Sequence, residues 1–493
     1  MRVLAIDQGT SATKAVLFDV ALGIVAEVDM PLTGQRFDSD AVEQDPLALW
    51  DSIVNAGRQA LATGGGQADC VGIGNQGETV LAWRRSSGEP ITTALVWQDG
   101  RAASVTERLH DRAAELQQIS GLPLDPYFAA PKLAWVTENL LTDEERKDDD
   151  IVVTTIDAWV LYRLCGAYAT DAATASRTMM LDLDGARWSQ PAAEIFGIDA
   201  TRQPAVVACD EPLGFTEVFG PRLPVTGAVV DQQAALFAQG CHAKDEAKCT
   251  YGTGAFLLAN LGTTPRRSAE GLATSIAWKL RSEPTTFCLD GQAYTVGAAI
   301  SWLQRIGLIE SAADVDALGL SVERTDGVCF IPSLAGVGAP LWESTARGAF
   351  TGLSLSTTKP QLVRAVGEGI AAQVALLVRS VETALGNQLS TLRVDGGITR
   401  SALVMQRQAD LLGTPIEVYP FACATALGVA AMALRGHFGA GAEQVIVDGW
   451  HPSTVFEPVL DRAEAVAQLA SWESMLNSTL PSKLRATTRE KSP

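Results

Sequence analysis

One carboxylate, one glycine, three hydroxyls and one lysine are gathered near the start of the chain. Asp7, Gly9, Thr10, Ser11, Thr13 and Lys14 lie between two apolar runs, residues 3–6 and 15–18. The runs read as a buried strand and its return. Gly9 lets the backbone come close to a ligand. The hydroxyls and free N–H groups can cradle phosphate oxygens. Lys14 can neutralise phosphate charge, and Asp7 can hold a magnesium ion, directly or through water. The alternative is an ordinary polar hairpin turn, and this stretch alone does not choose between the two.

The pattern recurs in the middle of the chain. Thr250, Gly252, Thr253 and Gly254 again separate two strand-like runs. Two such turns facing one another could grip a polyphosphate from both sides. No Gly-Lys dipeptide occurs, so a P-loop is excluded. Neither a Rossmann glycine pattern nor a metal signature involving the four histidines is present.

These residues need a scaffold. With 493 residues, 47% of them hydrophobic, the chain is too long for one core, and two or three domains are expected. After the opening hairpin, residues 24–30 read as a third strand. Asp45-Pro46 opens a helix with a side-chain cap and a proline in its first turn. Short strands follow at 71–74, 79–83 and 94–97, then helices at 102–119 and 131–141, a strand at 151–155, and a helix capped by Asp157. A strand at 224–230 runs into a helix that Asp231 would cap. The second half carries helices at 297–306, 360–385, 401–412, 425–434 and 463–480, with strands at 328–332 and 392–395. The 425–434 helix is made of small residues and can pack closely. This alternation points to α/β domains, with a boundary near Gln239 to Lys248. The division is 1–243 and 244–493, with a polar tail from about 481.

Thirty-eight basic and 57 acidic residues leave a net charge of −19, which repels nucleic acid and anionic membranes, so neither is an expected partner. An anionic nucleotide would have to be held by local Lys, Arg and magnesium. The eight scattered cysteines form no CxxC pair and read as reduced core residues of a cytoplasmic protein. No basic-then-apolar signal segment opens the chain. The most apolar helical stretch, 369–381, is interrupted by Gln373 and Arg379, so no membrane span is expected.

Seven segments occur together in one order: Asp7-Gln-Gly-Thr-Ser, Asn75-Gln-Gly-Glu78-Thr, Val96-Trp97-Gln-Asp99, Asp125-Pro-Tyr127-Phe, Asp231-Gln-Gln-Ala-Ala, Thr250-Tyr-Gly-Thr253-Gly and Arg393-Val-Asp-Gly-Gly397. In order and spacing the chain resembles the FGGY carbohydrate kinases, and most of all their glycerol kinase branch. The segment at Lys132 and Trp135 and the run from Gly348 to Gly352 resemble that family's two signature regions. The likeness extends from the N-terminus to about residue 434.

The resemblance implies an α/β, two-domain fold of the actin/hexokinase/Hsp70 ATPase type, in which a ribonuclease H-like motif is repeated. Each domain would have a mixed five-stranded sheet, with the active site in the interdomain cleft. It implies ATP-dependent phosphorylation of a polyol hydroxyl, with Mg2+ as cofactor and a homodimer or homotetramer as the family's common assembly. Residues 1–243 would bind acceptor and phosphates, and 244–493 the nucleotide. Asp231 would be the general base, a role compatible with its also being a helix cap. Thr10, Ser11, Lys14 and Thr253 would contact the β- and γ-phosphates, and Asp7 would organise magnesium. Gly297, Ser301, Gly397 and Ser401 fall at adenosine positions, although Ser301 and Ser401 also read as plain helix residues. Gly77, Glu78, Trp97, Tyr127, Asp231, Gln232 and Phe256 would form the acceptor pocket.

Three positions depart from the branch. Lys14 stands where an arginine is common, giving up bidentate geometry. Gly77 stands where glycerol kinases carry the arginine of Asn-Gln-Arg-Glu-Thr. Its loss removes charge-assisted donors of roughly 1.5–3 kcal/mol each and leaves space, so either glycerol binds poorly or a longer acceptor, such as a four-carbon polyol or ketose, fills the gap. The loop at 215–223 is short and carries Glu217 where some bacterial relatives bind fructose 1,6-bisphosphate, so no inhibition by that sugar phosphate is expected. Two other readings stay open: a xylulokinase-like pentulose kinase, and an actin- or Hsp70-like ATPase without a sugar substrate. The Glu78, Trp97, Tyr127 and Asp231 set speaks against the latter.

Overall fold

The structure, a computed structural model, describes residues 1–38, 40–269, 271–343 and 345–480. The polar tail from about 481 lies outside them.

Two mixed sheets carry the architecture. The first consists of β1 (Arg2–Gln8), β2 (Ala12–Asp19), β3 (Gly23–Pro31), β4 (Cys70–Asn75), β5 (Gly214–Thr216) and β6 (Leu223–Val230), in the order β5-β6-β4-β1-β2-β3. The second consists of β7 (Ala247–Tyr251), β8 (Ala255–Gly262), β9 (Ala273–Trp278), β10 (Thr286–Ala293), β11 (Leu392–Asp395), β12 (Ile416–Val418) and β13 (Thr454–Phe456), in the order β9-β10-β8-β7-β11-β12-β13. The runs β6-β4-β1-β2-β3 and β12-β11-β7-β8-β10 have the same plan. In each, an antiparallel three-stranded meander is joined through its first strand to two parallel strands. The repeat expected from the two Gly/Thr turns is therefore a repeat of folds. The sheets have six and seven strands rather than five, because β5, β9 and β13 extend the shared core at its edges.

Local chemistry explains how helices lie on these sheets. Helix α1 (Pro46–Thr63) is capped by Asp45, whose side chain accepts from the Leu47 N–H. It buries Leu49, Ile53, Ala56 and Ala60 against the first sheet. The opposite face of that sheet is kept bare by Gly72, Gly74 and Gly227. A Cβ at Gly227 would stand 2.6 Å from the Ala433 nitrogen. Onto this face lies the small-residue helix Ala424–Phe438, which follows β12 in sequence but packs on β6, β1 and β4. It also crosses α2 (Asp231–Ala238) so closely that a Cβ at Gly428 would sit 1.9 Å from the Ala234 carbonyl oxygen.

Several local expectations change. The helix expected over 102–119 is broken into Ala103–Arg108, a 3-10 turn at His110–Arg112, and Ala113–Ser120. The strand expected at 94–97 covers only Ala94–Leu95. Asp157 is not a cap but lies inside the first turn of Ile156–Cys165, buried. Asp231 likewise is the first residue of its helix, with Val230 at the cap position. The 27-residue helix Lys359–Leu385 contains a window long and apolar enough by composition to cross a membrane. Most of that window is buried inside the protein, as in a core helix. The cysteines form no disulfide, and seven of the eight are buried.

Candidate active site

The ends of β1, β4 and β6 come together where parallel strands deliver their C-terminal residues. The register places Gln8 beside Asn75, and Asn75 beside Val230. The turn after β1, the 75–79 loop after β4 and the start of α2 after β6 therefore share one edge. The second sheet contributes the turn between β7 and β8 in the same way. Between them is a cleft of about 410 Å³. It is lined by Thr10, Ser11, Gly77, Glu78 and Trp97, by Tyr127, Asp231 and Gln232, and by Thr253 and Phe256. Six separate sequence segments thus meet in one cavity.

The first turn is rigid. Gly9 N–H donates to the Ala12 carbonyl at 3.0 Å, and the amides of Gln35 and Gln44 both donate to the Thr10 carbonyl at 2.5 Å. The Trp97 indole N–H donates to the Thr10 hydroxyl at 2.9 Å, so an aromatic wall of the cleft also orients a hydroxyl of the first turn. Trp97 meets Tyr127 and Phe256 edge-to-face, each at 5.8 Å between centroids. The loop bearing Tyr127 is held by Lys132, which is fully buried and donates to the Pro126 carbonyl at 2.9 Å and the Phe128 carbonyl at 3.1 Å. Burial pulls this ammonium down to about 8, against the charges of Glu78, Asp99 and Asp125.

Glu78 is buried with φ of +55°, a conformation few non-glycine residues adopt. Burial raises its carboxyl above the usual range, and Arg177 opposes the shift. Arg177 Nε donates to Glu78 Oε1 at 2.6 Å, and the same guanidinium pairs with Asp290 of β10. Glu78 thus takes its guanidinium partner from a segment distant in sequence. Gly77 is not simply a gap, since a Cβ there would approach Val230 Cγ2 to 3.1 Å.

Asp231 accepts from its neighbour's backbone, Gln232 N–H, at 2.7 Å. Because it does not cap the helix, the carboxylate is left facing the cleft. Burial raises it, with the Gln232 N–H, Lys248 and Arg177 opposing. A polar chain continues from it into the second sheet. Lys248 donates to Gln232 Oε1 at 2.6 Å and to the Thr250 hydroxyl at 2.8 Å, and that hydroxyl donates to Asp395 at 2.6 Å.

Asp7 lies on β1 directly opposite Lys14 of β2. Burial and the negative charge of Asp231 raise its carboxyl to about 7, Lys14 opposing. A half-desolvated carboxylate beside a second one suits a hard divalent cation, so the residues fit magnesium. No cluster of three or more metal-ligating side chains occurs among the described residues.

Not every expected residue lines the cleft. Lys14 is turned to Glu27, 3.2 Å away, and to the Ala422 carbonyl at 3.3 Å. Gly297 N–H donates to the Gly252 carbonyl at 3.1 Å, so the start of helix 297–305 abuts the second turn. Gly396 packs against Tyr251, while a Cβ on Gly397 would meet open space. Ser301 is exposed one turn along its helix. Ser401 caps Ala402–Leu412 and donates to Asp316. None of these four is among the residues that line the cleft. A larger hollow of about 900 Å³ lies between helices 359–385, 402–412 and 462–479, and holds none of the residues singled out by sequence.

Arg177, Asp290 and Lys248 were not singled out. The available signal was a charged residue inside an otherwise small or apolar stretch, Arg177 in residues 172–181 and Asp290 in β10. Such residues are rarely buried without a partner.

Residues 2–238 match the N-terminal domain, and residues 247–437 the C-terminal domain, of the FGGY family of carbohydrate kinases. Over 490 residues the chain is 38% identical to the glycerol kinase of Myxococcus xanthus (strain DK1622), covering 96% of this chain and 98% of that one. It is 38% identical over 482 residues to the glycerol kinase of Thermus brockianus, covering 95% and 97%. The crystal structure of Plasmodium falciparum glycerol kinase with ADP superposes with a TM-score of 0.89 at 31% identity, covering 97% and 98%.

Proposed function

The chain belongs to the FGGY family of carbohydrate kinases and is an ATP-dependent phosphotransferase with an alcohol acceptor; from that premise we propose that it transfers the γ-phosphate of ATP to a hydroxyl of a small polyol, glycerol or a four-carbon polyol or ketose, with Asp231 as general base. The observation that carries the proposal is the convergence of Asp231, Glu78 and three aromatic walls with both Gly/Thr turns in one cleft.

Phosphoryl transfer needs positioning, charge neutralisation and a group to take the hydroxyl proton. Asp231 faces the cleft, and its raised proton affinity suits a base. Glu78 accepts hydrogens from the acceptor's other hydroxyls while Trp97, Tyr127 and Phe256 cover its C–H faces. Thr10, Ser11 and Thr253 hold the β- and γ-phosphates from the two turns. Lys14 contributes charge once it exchanges Glu27 for phosphate. Gly297, Ser301, Gly397 and Ser401 border the adenosine. Asp7 would hold Mg2+, which when bound supplies charge neutralisation at the transferring group. Residues 1–243 form the acceptor and phosphate side, residues 244–493 the nucleotide side.

The test is an ADP-release screen with glycerol, erythritol, threitol, erythrulose, dihydroxyacetone, ribulose and xylulose. A three- or four-carbon compound should stimulate turnover most. Preference for a pentulose would make the enzyme xylulokinase-like, and no stimulation by any compound would end the kinase proposal.

A further inference from the structure

Lys248 of β7 is fully buried and is not among the residues that line the cleft, yet it stands between the acceptor side and the second turn. Its ammonium donates to Gln232 Oε1 of α2 at 2.6 Å and to the Thr250 hydroxyl at 2.8 Å. Residues 248 and 250 are two apart on one strand and so share a face. In the parallel register Thr250 lies beside Asp395 of β11, and its hydroxyl reaches that carboxylate at 2.6 Å. Asp395 directly precedes the Gly396-Gly397 pair, and Thr250 opens the second Gly/Thr turn. On the other side, the Gln232 amide nitrogen lies 3.3 Å from Asp231 Oδ2.

Chemistry fixes the direction of every proton along this chain. An ammonium only donates, and an ionised carboxylate only accepts. Lys248 therefore turns the Gln232 carboxamide oxygen toward itself and the amide N–H groups toward Asp231. Without the ammonium, Gln232 could as readily present its oxygen, which would repel the carboxylate. The Thr250 hydroxyl accepts from Lys248, so its own proton goes to Asp395. Burial disfavours the ammonium, and Asp395 is foremost among the charges that oppose the shift.

We propose that Lys248 is a positioning residue that couples the two half-sites: it sets the Gln232 carboxamide on Asp231 and, through Thr250, fastens that assembly to Asp395 beside the second turn. This rests on the reading of Asp231 as the base and adds how the site is regulated. ATP phosphates that order the second turn order Thr250 and Lys248 with it, and these hold Gln232 and Asp231 for the acceptor. Binding of nucleotide and binding of acceptor therefore reinforce one another.

The experiment measures kcat, both KM values and the dissociation constant of a non-hydrolysable ATP analogue, without and with the acceptor that the wild type uses best. The proteins are the wild type, Lys248→Met, Gln232→Met and the double variant. In the wild type the acceptor should tighten the analogue about fivefold or more, the range of ordinary coupling between sites. Lys248→Met, which keeps length and loses the charge, should bring that ratio toward unity. Its kcat should fall by about 10²-fold, as when a catalytic group is displaced, with the acceptor KM changing less than kcat. Because Lys248 acts on the base through Gln232, the double variant should be no slower than Lys248→Met alone. If Lys248→Met does not fold, Thr250→Val, which keeps the ammonium and cuts the link to Asp395, should bring the ratio toward unity likewise. A wild-type ratio near unity overturns the proposal. So does a Lys248→Met enzyme with kcat within a few-fold of wild type, a double variant whose losses multiply, or a ratio that Thr250→Val leaves unmoved. With wild-type turnover in hand, those results reject the coupling and leave the kinase reading intact. A wild type that turns over no acceptor rejects both.

Discussion

Arg177 joins Glu78 of the first domain's 75–79 loop, at 2.6 Å, to Asp290 of a strand in the second sheet, so one guanidinium ties the two halves together at the floor of the cleft. All three side chains are nearly inaccessible. Removing one member of a buried charge cluster leaves the others uncompensated, which costs about 3–5 kcal/mol. Arg177→Met should therefore lower stability by that order in urea unfolding and raise the acceptor KM more than the ATP KM. Wild-type stability in the variant would mean that the cluster is not closed in solution.

The crossing of α2 and the helix Ala424–Phe438 leaves no room for a side chain at Gly428. Gly428→Val should push the helices apart at a cost of about 1–3 kcal/mol. Since α2 begins at Asp231, kcat should fall along with thermal stability. A variant with unchanged Tm and kcat would show that the contact is looser than described.

Asp171 caps the short helix Ala172–Ser176 that leads to Arg177, accepting from the Ala173 N–H at 2.9 Å and the Thr174 N–H at 3.0 Å. Burial, helped by the nearby charge of Asp157, raises its carboxyl from 3.8 to about 7. Between those values the folded chain keeps a proton that the unfolded chain has lost. The stability this group confers is thus present at low pH and is lost as pH rises from about 4 to about 7. Asp171→Asn should flatten the pH dependence of Tm across that window. An unaltered slope would assign the dependence to other groups.

The loop joining β5 and β6 carries one cation, Arg222, whose guanidinium lies 3.8 Å over the Phe215 ring. The same loop carries the negative charge of Glu217, which disfavours a polyanion. Saturating fructose 1,6-bisphosphate should leave the turnover rate unchanged, and clear inhibition would contradict the prediction.

The fold and the cleft's outline were legible because they are written in local pattern. Strand–turn–strand segments with glycines and hydroxyls mark where backbones must approach a ligand, and Asp45, the 425–434 small-residue run and the 3.6-residue spacing of α1 announce their own packing. What was not legible depends on the meeting of distant segments. Arg177 looked like any charged residue until folding set it between Glu78 and Asp290, 99 residues back in one case. Gly77 marks a donor absent from its own loop, but nothing in that loop announces that Glu78 takes its guanidinium partner, Arg177, from another segment. Asp231 read as a cap because its type and place suit one, but backbone geometry puts the cap at Val230 and leaves the carboxylate turned to the cleft. The edge strands β5, β9 and β13 are invisible to a repeat pattern because only the shared five strands repeat.

The central claim is that Asp231 takes the acceptor's proton in this cleft, and the most direct measurement is Asp231→Asn examined for both turnover and ATP affinity. General-base removal should lower kcat by about 10²–10⁴-fold, with the acceptor that the wild type uses best, while the ATP dissociation constant and the Tm stay close to wild type. Turnover retained within a few-fold would remove Asp231 from the role of base. Loss of ATP binding together with turnover would make it part of the nucleotide site instead.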